Sequence, residues 1–235
     1  MARQKKQKQK VVDTLALSCD YIPVVKKKSF FYFFVKRAFD IFVSLLGIIL
    51  LSWLLLILTI CAAISSGGAP FFNDIRLGKN GKTIKVTKFR SMYKDAETNP
   101  AKYLNAEQMK QWEIERKVDD DPRITRFGHF VRKTSLDELP QLFNVFIGTL
   151  SIVGPRPIVQ RELDGAYFPE QQKILLSARP GIIGNWDVNG RSNVTFASGK
   201  RQFLELDYFA KRSLWFDFKL LLKVIPAVLK RDGAK

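Results

Sequence analysis

From residue 41 to residue 64 the chain carries no charged side chain: "IFVSLLGIILLSWLLLILTICAAI". A helix rises about 1.5 Å per residue, so a run of this length reaches roughly 36 Å, enough for a hydrocarbon layer of about 30 Å. The run starts too late and is too long for a secretory signal peptide, and it is read as a membrane segment. Ahead of it stands "FFYFFVKRAFD", aromatics followed by Lys36, Arg37 and Asp40. Rings and snorkelling cations of this kind suit the headgroup layer. After it, "SSGGAP" breaks the apolar pattern.

Beyond the break the periodicity changes. "IRLGKNGKTIKV" sets Asn80-Gly81 between short apolar stretches, which predicts a hairpin. "AKYLNAEQMKQWEIERK" predicts an exposed helix, and "DELPQLFNVFIG" a partly buried one ended by Gly148. "LDYFAKRSLWFDFKLLLKVIPAVLKR" mixes aromatics, leucines and lysines at helical spacing. It predicts one or two amphipathic helices, lying on a bilayer or facing a core; the pattern allows both. The expected class is α+β, mainly α, with a small β-hairpin element. The expected division is a basic flexible arm over residues 1–35, a membrane helix over 36–66 and a catalytic domain over 67–235.

Charge sharpens this picture. The 235 residues hold 39 Lys+Arg against 22 Asp+Glu, a net charge of +17, which favours anionic partners and says nothing of fold. The first ten residues carry five basic side chains and no acid, as in an arm that lies on anionic lipid. Residues 1–40 hold ten Lys+Arg and three Asp, and the stretch after the apolar run, "NDIRLGKNGKTIKVTKFR", is basic too. Positive flanks stay on one side of a membrane. A spanning helix would force one flank across, whereas a re-entrant hairpin turning near Ser52 would keep both together. A serine can bend a helix by bonding back to a carbonyl one turn earlier. No proline lies in the run to help it.

Cys19 and Cys61 lack metal-ligand spacing, and a disulfide framework is not expected. The single histidine, His129, is read as a half-buried structural residue, so relays built on histidine have little material. There is no GxxxxGK[ST] loop and no GxGxxG. What stands out is "KTSLDELPQL", with Asp137 and Glu138 adjacent in a basic setting. Ser135-x-x-Glu138 has the spacing of a helix capping box; a helix starting at Pro140 would instead leave both acids just before its positive end. Around the pair in sequence are Lys88 and Arg90 in "TKFRSM", Arg123, Arg126, Arg132 and Lys133 in "DPRITRFGHFVRKTS", and Arg156 in "GPRP", where flanking prolines stiffen the backbone. A carboxylate attacking a diphosphate meets repulsion of about 4 kcal/mol at 4 Å and an effective dielectric near 20. Arginines and a divalent cation offset such repulsion. A carboxylate is a competent covalent nucleophile toward phosphorus, and two adjacent acids invite one to attack and one to hold metal. Two other classes remain on these grounds: a basic, membrane-anchored binder of anionic lipid or nucleic acid, and a glycosyl transferase that moves sugar without phosphate and releases UDP.

The motifs "KRAFDIFVS", "KFRSM", "DPRITRFGHFVRKTSLDELPQLFNV", "SIVGPRP", "RPGIIG" and "SLWFDFKLL", in this order, resemble the bacterial sugar transferases, the monotopic phosphoglycosyl transferases, over residues 36–229. The resemblance implies transfer of a sugar-1-phosphate from a UDP-sugar to polyprenyl (undecaprenyl) phosphate, with release of UMP. It implies Asp137 as the nucleophile of a covalent phosphosugar intermediate and Glu138 as the Mg²⁺ ligand. Lys88, Arg90, Arg132 and Arg156 are the implied phosphate binders. Asp217 matches an acid of the family without an assigned role. Also implied are a re-entrant membrane helix, interfacial amphipathic helices, a place in the bacterial inner membrane with the catalytic domain on the cytoplasmic face, and a minimal member with a single anchor. Anionic membrane lipid is an expected partner, and nucleic acid is not. The chain departs from the family in having Ser52-Trp53 where Ser-Pro is usual, and "GGAPFFNDIRLG" where Gly-Pro and Gln are common.

Overall fold

The computed structural model describes residues 20–115, 118, 120–189 and 199–229. Of the arm read over residues 1–35, residues 1–19 lie outside them, and Cys19 with them. The chain is mainly helical with small strand pairs. It divides into two interleaved units. Among the described residues, the first draws on residues 20–47, 75–86, 141–189 and 199–229, and the second on those within 48–74 and 87–140. The hairpin formed by β1 (Phe71–Leu77) and β2 (Thr83–Phe89) contributes residues to each. Its tip is the expected Asn80-Gly81, both at positive φ (60° and 73°), the backbone that two such residues adopt at least cost.

In the first unit a parallel pair forms between β3 (Ser151–Val153) and β4 (Gly181–Ile183), with Ser151 opposite Gly181 and Val153 opposite Ile183. Parallel strands need a crossover, here supplied by α6 (Gln160–Ala166) and α7 (Pro169–Leu175). Leu150, Ile152, Val153, Leu206, Phe209 and Leu220 are central to its core. The first helix, α1 (Phe30–Leu50), is tied to this core by charge. Lys36 Nζ donates to the Asp217 carboxylate (2.7 Å) and to the Val153 carbonyl (2.8 Å). Arg37 donates to the carbonyls of Val145 and Phe146 (2.7 Å each), at the C-terminal end of α5 (Gln141–Ile147), where carbonyls lack helical partners and a cation is favoured. Buried Asp40 accepts from the Ser151 hydroxyl (2.8 Å) and the Ile152 N–H (3.0 Å). Lys36 and Asp40 lie one turn apart on one helix face, and that face meets protein. The two cations expected to snorkel toward headgroups are therefore used inward, and α1 exposes apolar side chains along its length, among them Phe30, Phe31, Phe34, Phe42 and Ile49.

The C-terminal segment forms two helices, α9 (Lys200–Lys211) and α10 (Leu214–Leu229), following the short α8 (Asn185–Asn189). Of the two readings of this segment, the core-facing one holds for α9. α9 is core-facing, with Leu204 through Phe209 buried, whereas α10 buries Asp217 and Leu220 and leaves Trp215, Phe218 and Leu222 exposed.

In the second unit α2 (Ser52–Ser66) follows α1 after a 69° bend, and α3 (Ala106–Glu115) comes later in the chain. The break falls at Leu51 (φ −99°, ψ 9°), one residue ahead of the turn expected near Ser52. A straight helix over the whole apolar run does not form. Among the described residues no single helix is long and apolar enough to cross a membrane; the bent pair passes that test together. Leu55, Leu58 and Ala62 of α2 pack with Phe89 and Val131 into this unit's core, while Trp53, Leu56, Ile60 and Ile64 stay exposed. Apolar surface of that extent is unusual on a protein surrounded by water.

The Asp40 link predicts a clear effect on stability. Asp40→Ala leaves the buried Ile152 N–H without its acceptor and should cost about 2–4 kcal/mol, while Asp40→Asn, which keeps an acceptor oxygen, should cost less. Thermal denaturation of the two variants in detergent checks the order.

Candidate active site

The second unit builds its polar centre at the end of β2. Strand alternation sends Phe89 into the core and Lys88 and Arg90 elsewhere. Beyond the strand the chain pairs with residues 123–125: Met92 and Ile124 form an antiparallel bridge, Thr125 N–H donates to Ser91 O (3.0 Å) and Tyr93 N–H to Arg123 O (3.1 Å). Thr125 then caps α4 (Arg126–Lys133), its hydroxyl accepting the Gly128 N–H (2.9 Å). Gly128 lies so close to Ser91 that a Cβ there would overlap the Ser91 carbonyl oxygen. Four residues later, on the same face, Arg132 donates from Nε to the Ser91 hydroxyl (2.8 Å).

After α4 the chain turns sharply. Ser135 takes the left-handed conformation (φ 57°, ψ 17°), uncommon for a residue with a side chain and frequent at functional sites. A 3₁₀ turn, Leu136–Glu138, follows. Leu136 and Leu139 pack on the core, and Asp137 and Glu138 are half-buried beside them. The Ser135 side chain makes no capping bond, so the Ser135-x-x-Glu138 capping box does not form. The next helix starts at Gln141, after Pro140, and the two acids sit in a turn of their own.

The electrostatics of this turn are set by crowding. Burial, then the adjacent Glu138, push the Asp137 carboxyl up to about 6, and Lys88 and Arg132 pull in the opposite direction. Lys88 Nζ stands 3.8 Å from Glu138 Oε1. Burial lowers the Arg132 guanidinium from its ordinary value, opposed by Asp137 and Asp121. Asp121 and Arg123 form a buried bidentate pair (2.7 and 2.8 Å), with Arg123 also over the Trp112 ring. The structure thus brings Asp137, Glu138, Lys88 and Arg132 together. Arg90 is occupied otherwise, donating to the carbonyls of Ala69 (2.7 Å) and Phe71 (3.3 Å). Arg126, Lys133 and His129 are exposed on α4. The histidine was expected half-buried; the inward face of this helix is taken by Gly128 and Val131.

Among the described residues no three His, Cys, Asp or Glu side chains gather as metal ligands. The adjacent acids still fit a hard cation of the Mg²⁺ kind, which uses one or two carboxylates and completes its shell with water and substrate phosphate. Burial first and Glu138 second raise Asp137, and added positive charge here would relieve the second of these.

Arg156 belongs to the first unit and has its own surroundings. Its Nη1 donates to Asp187 Oδ1 (3.2 Å), and its backbone N–H to Glu205 Oε2 (3.0 Å). The other Asp187 oxygen accepts the Gly184 N–H (2.8 Å). The guanidinium lies over the Trp186 ring at 5.2 Å, and that of Arg201 over the same ring at 4.6 Å. Neither Asp187 nor Trp186 was singled out from the sequence. Both follow the quoted "RPGIIG", but nothing in the order of residues pairs them with an arginine about thirty positions earlier. Ser91, the partner of Arg132, was missed for the same reason. Asp217, left without a role, is the partner of Lys36 and accepts the Tyr208 hydroxyl (3.1 Å).

The bacterial sugar transferase profile matches residues 31–231. The UDP-galactose-lipid carrier transferase of Erwinia amylovora is 41% identical over 203 residues, 86% of this chain and 42% of that one. The exopolysaccharide production protein ExoY of Sinorhizobium fredii is 39% identical over 207 residues, 85% of this chain and 87% of its own. The undecaprenyl-phosphate galactose phosphotransferase of Salmonella typhimurium is 40% identical over 203 residues, 86% of this chain and 42% of its own. The chain therefore spans less than half the length of the first and third of these relatives.

Gly128 is the tightest constraint on the cluster. Gly128→Ala forces α4 away from Ser91 and displaces Arg132; backbone displacement at so close an approach should cost about 1–3 kcal/mol. Ser91→Ala should cost less, since it removes one hydrogen bond to a charged group and leaves the backbone in place. Urea or thermal unfolding of both variants checks this ranking.

Proposed function

The chain belongs to the bacterial sugar transferase family, and on that premise we propose that it is a polyprenyl-phosphate sugar-1-phosphate transferase. It takes a UDP-sugar as donor and a polyprenyl phosphate such as undecaprenyl phosphate as acceptor, and it releases UMP. The observation that carries this reading is the Asp137–Glu138 turn: a half-buried carboxyl raised to about 6, with a second acid adjacent and Lys88 and Arg132 around it. A carboxyl with this value is ionised near neutral pH yet more basic than an ordinary aspartate, which suits a nucleophile.

In the first half-reaction Asp137 attacks the sugar-bearing phosphorus, the P–O bond to UMP breaks, and an acyl-phosphate to the sugar forms. In the second, a phosphate oxygen of the lipid attacks the same phosphorus and frees Asp137. Lys88 and Arg132 lower the repulsion between carboxylate and diphosphate, and Ser91 holds the Arg132 guanidinium in place. Arg156 is proposed as a further phosphate-binding residue; Arg90, bonded to backbone carbonyls, supports the loop before β1. Glu138 would hold Mg²⁺, which when bound supplies positive charge to the diphosphate. The exposed apolar faces of α1, α2 and α10 support a place at the bacterial inner membrane, with the re-entrant form of the bent helix pair leaving both basic flanks on the cytoplasmic side.

Two measurements test this reading. Mixed with UDP-sugar and Mg²⁺ but no lipid, the protein should release UMP up to one equivalent; UDP as product would sink the proposal. Asp137→Asn should lose turnover by roughly a thousandfold or more while still partitioning into membranes, and an active Asn variant would refute the nucleophile.

The rate should also follow the charge of Asp137. Without bound metal its carboxylate is lost as pH falls through about 6, and a cation on Glu138 would lower that value, so log kcat/KM should fall with unit slope below a bend at or under about 6 and be level above it. Lys88 favours the charged form, so Lys88→Gln should move the bend to higher pH. A limb that ignores position 88 would separate it from Asp137.

A further inference from the structure

The surroundings of Arg156 differ from those of an ordinary surface arginine. Its side chain is about one-third exposed, yet it is fixed at both ends. The backbone end is held by the buried Glu205 carboxyl through the Arg156 N–H (3.0 Å). The guanidinium end is held by Asp187 (3.2 Å), whose second oxygen is itself tied to the Gly184 N–H (2.8 Å). Beneath lies the Trp186 ring, shared with Arg201. Two guanidiniums over one ring repel each other, and burial together with Arg156 holds Arg201 below its ordinary value. Asp187 and Glu205, with Glu162 at 3.9 Å from Arg201, supply the opposing charge that lets both stay.

We propose that Asp187 and Trp186 are positioning residues for Arg156: the carboxylate, locked by the Gly184 N–H, and the indole face together hold the guanidinium in one orientation so that it presents a fixed fork to a phosphate group. This rests on the reading of Arg156 as a phosphate-binding residue. A planar guanidinium binds phosphate best through two parallel N–H groups, and holding it in advance removes the ordering cost of binding. Asp187 neutralises part of the charge and would by itself weaken anion binding; its contribution is orientation, which is why the ring and the second anchor at Gly184 matter. Glu205 holds the Arg156 backbone N–H.

The test is a double-mutant cycle on UDP affinity, measured by calorimetry with the full chain in lipid nanodiscs. Arg156→Ala should weaken UDP binding, and Asp187→Ala should weaken it roughly tenfold, the order expected for a hydrogen bond between charged groups. In the Arg156→Ala background the Asp187 substitution should have no further effect, because there is no guanidinium left to orient. A merely structural Asp187 would instead lose the same factor in both backgrounds. Asp187→Asn, which keeps the shape and an acceptor oxygen, should recover most of the loss, as should Trp186→Phe relative to Trp186→Leu; both also serve if the alanine variant fails to fold. If Arg156→Ala leaves UDP affinity unchanged, the phosphate reading of Arg156 fails and the inference with it. If Arg156→Ala weakens binding and the Asp187 and Trp186 variants do not, or act equally without Arg156, only the positioning role is overturned.

Discussion

Drawn partly out of water and set beside the Glu138 carboxylate, the Asp137 carboxyl resists ionisation, and the second unit is arranged to make that tolerable. The left-handed Ser135 and the 3₁₀ turn keep Asp137 and Glu138 out of a regular helix. Lys88 arrives on a strand and Arg132 on a helix, and each is fixed by something firmer than a surface contact. Phe89 anchors the strand in the core beside Lys88, and Ser91 binds Arg132 directly. The close seat of Gly128 on Ser91 joins the two supports. The result is a carboxyl displaced upward but not far enough to be neutral near pH 7, the compromise that the proposed attack on a diphosphate requires.

Much of this was legible in the sequence, for identifiable reasons. Asn80-Gly81 marked the hairpin because its turn needs positive φ at both residues. Gly148 marked the end of α5 for a similar reason. The uncharged run marked an apolar helical segment, and the adjacent acids marked themselves by standing in basic surroundings. What was not legible depended on contacts distant in sequence. Lys36 and Arg37 looked like headgroup residues because pattern alone cannot show that β3 and the end of α5 lie against the same helix face. His129 looked half-buried because the register of a two-turn helix cannot be read before its packing is known. The capping-box spacing at Ser135 was real as a pattern, but the backbone took a conformation that a cap does not use.

Polar groups do different work in the two units. In the second they gather around one turn and leave it strained in charge. In the first they mostly cancel: Asp40 against Ser151 and Ile152, Lys36 against Asp217, Asp187 against Arg156. Buried pairs of this sort add little net stability but allow few alternatives, because breaking one leaves a charge stranded.

The Lys36–Asp217 pair has a practical consequence. An apolar helix at the head of a chain is commonly treated as a detachable handle, to be trimmed when a water-soluble version is wanted. Here the same helix carries the ammonium that neutralises a buried acid near the other end of the sequence and the carboxylate that accepts from the third strand. Cutting ahead of Phe30 spares both contacts. Cutting behind Asp40 removes both and leaves Asp217 and the Ile152 amide stranded, so truncation on that side dismantles the remainder of the first unit rather than freeing it.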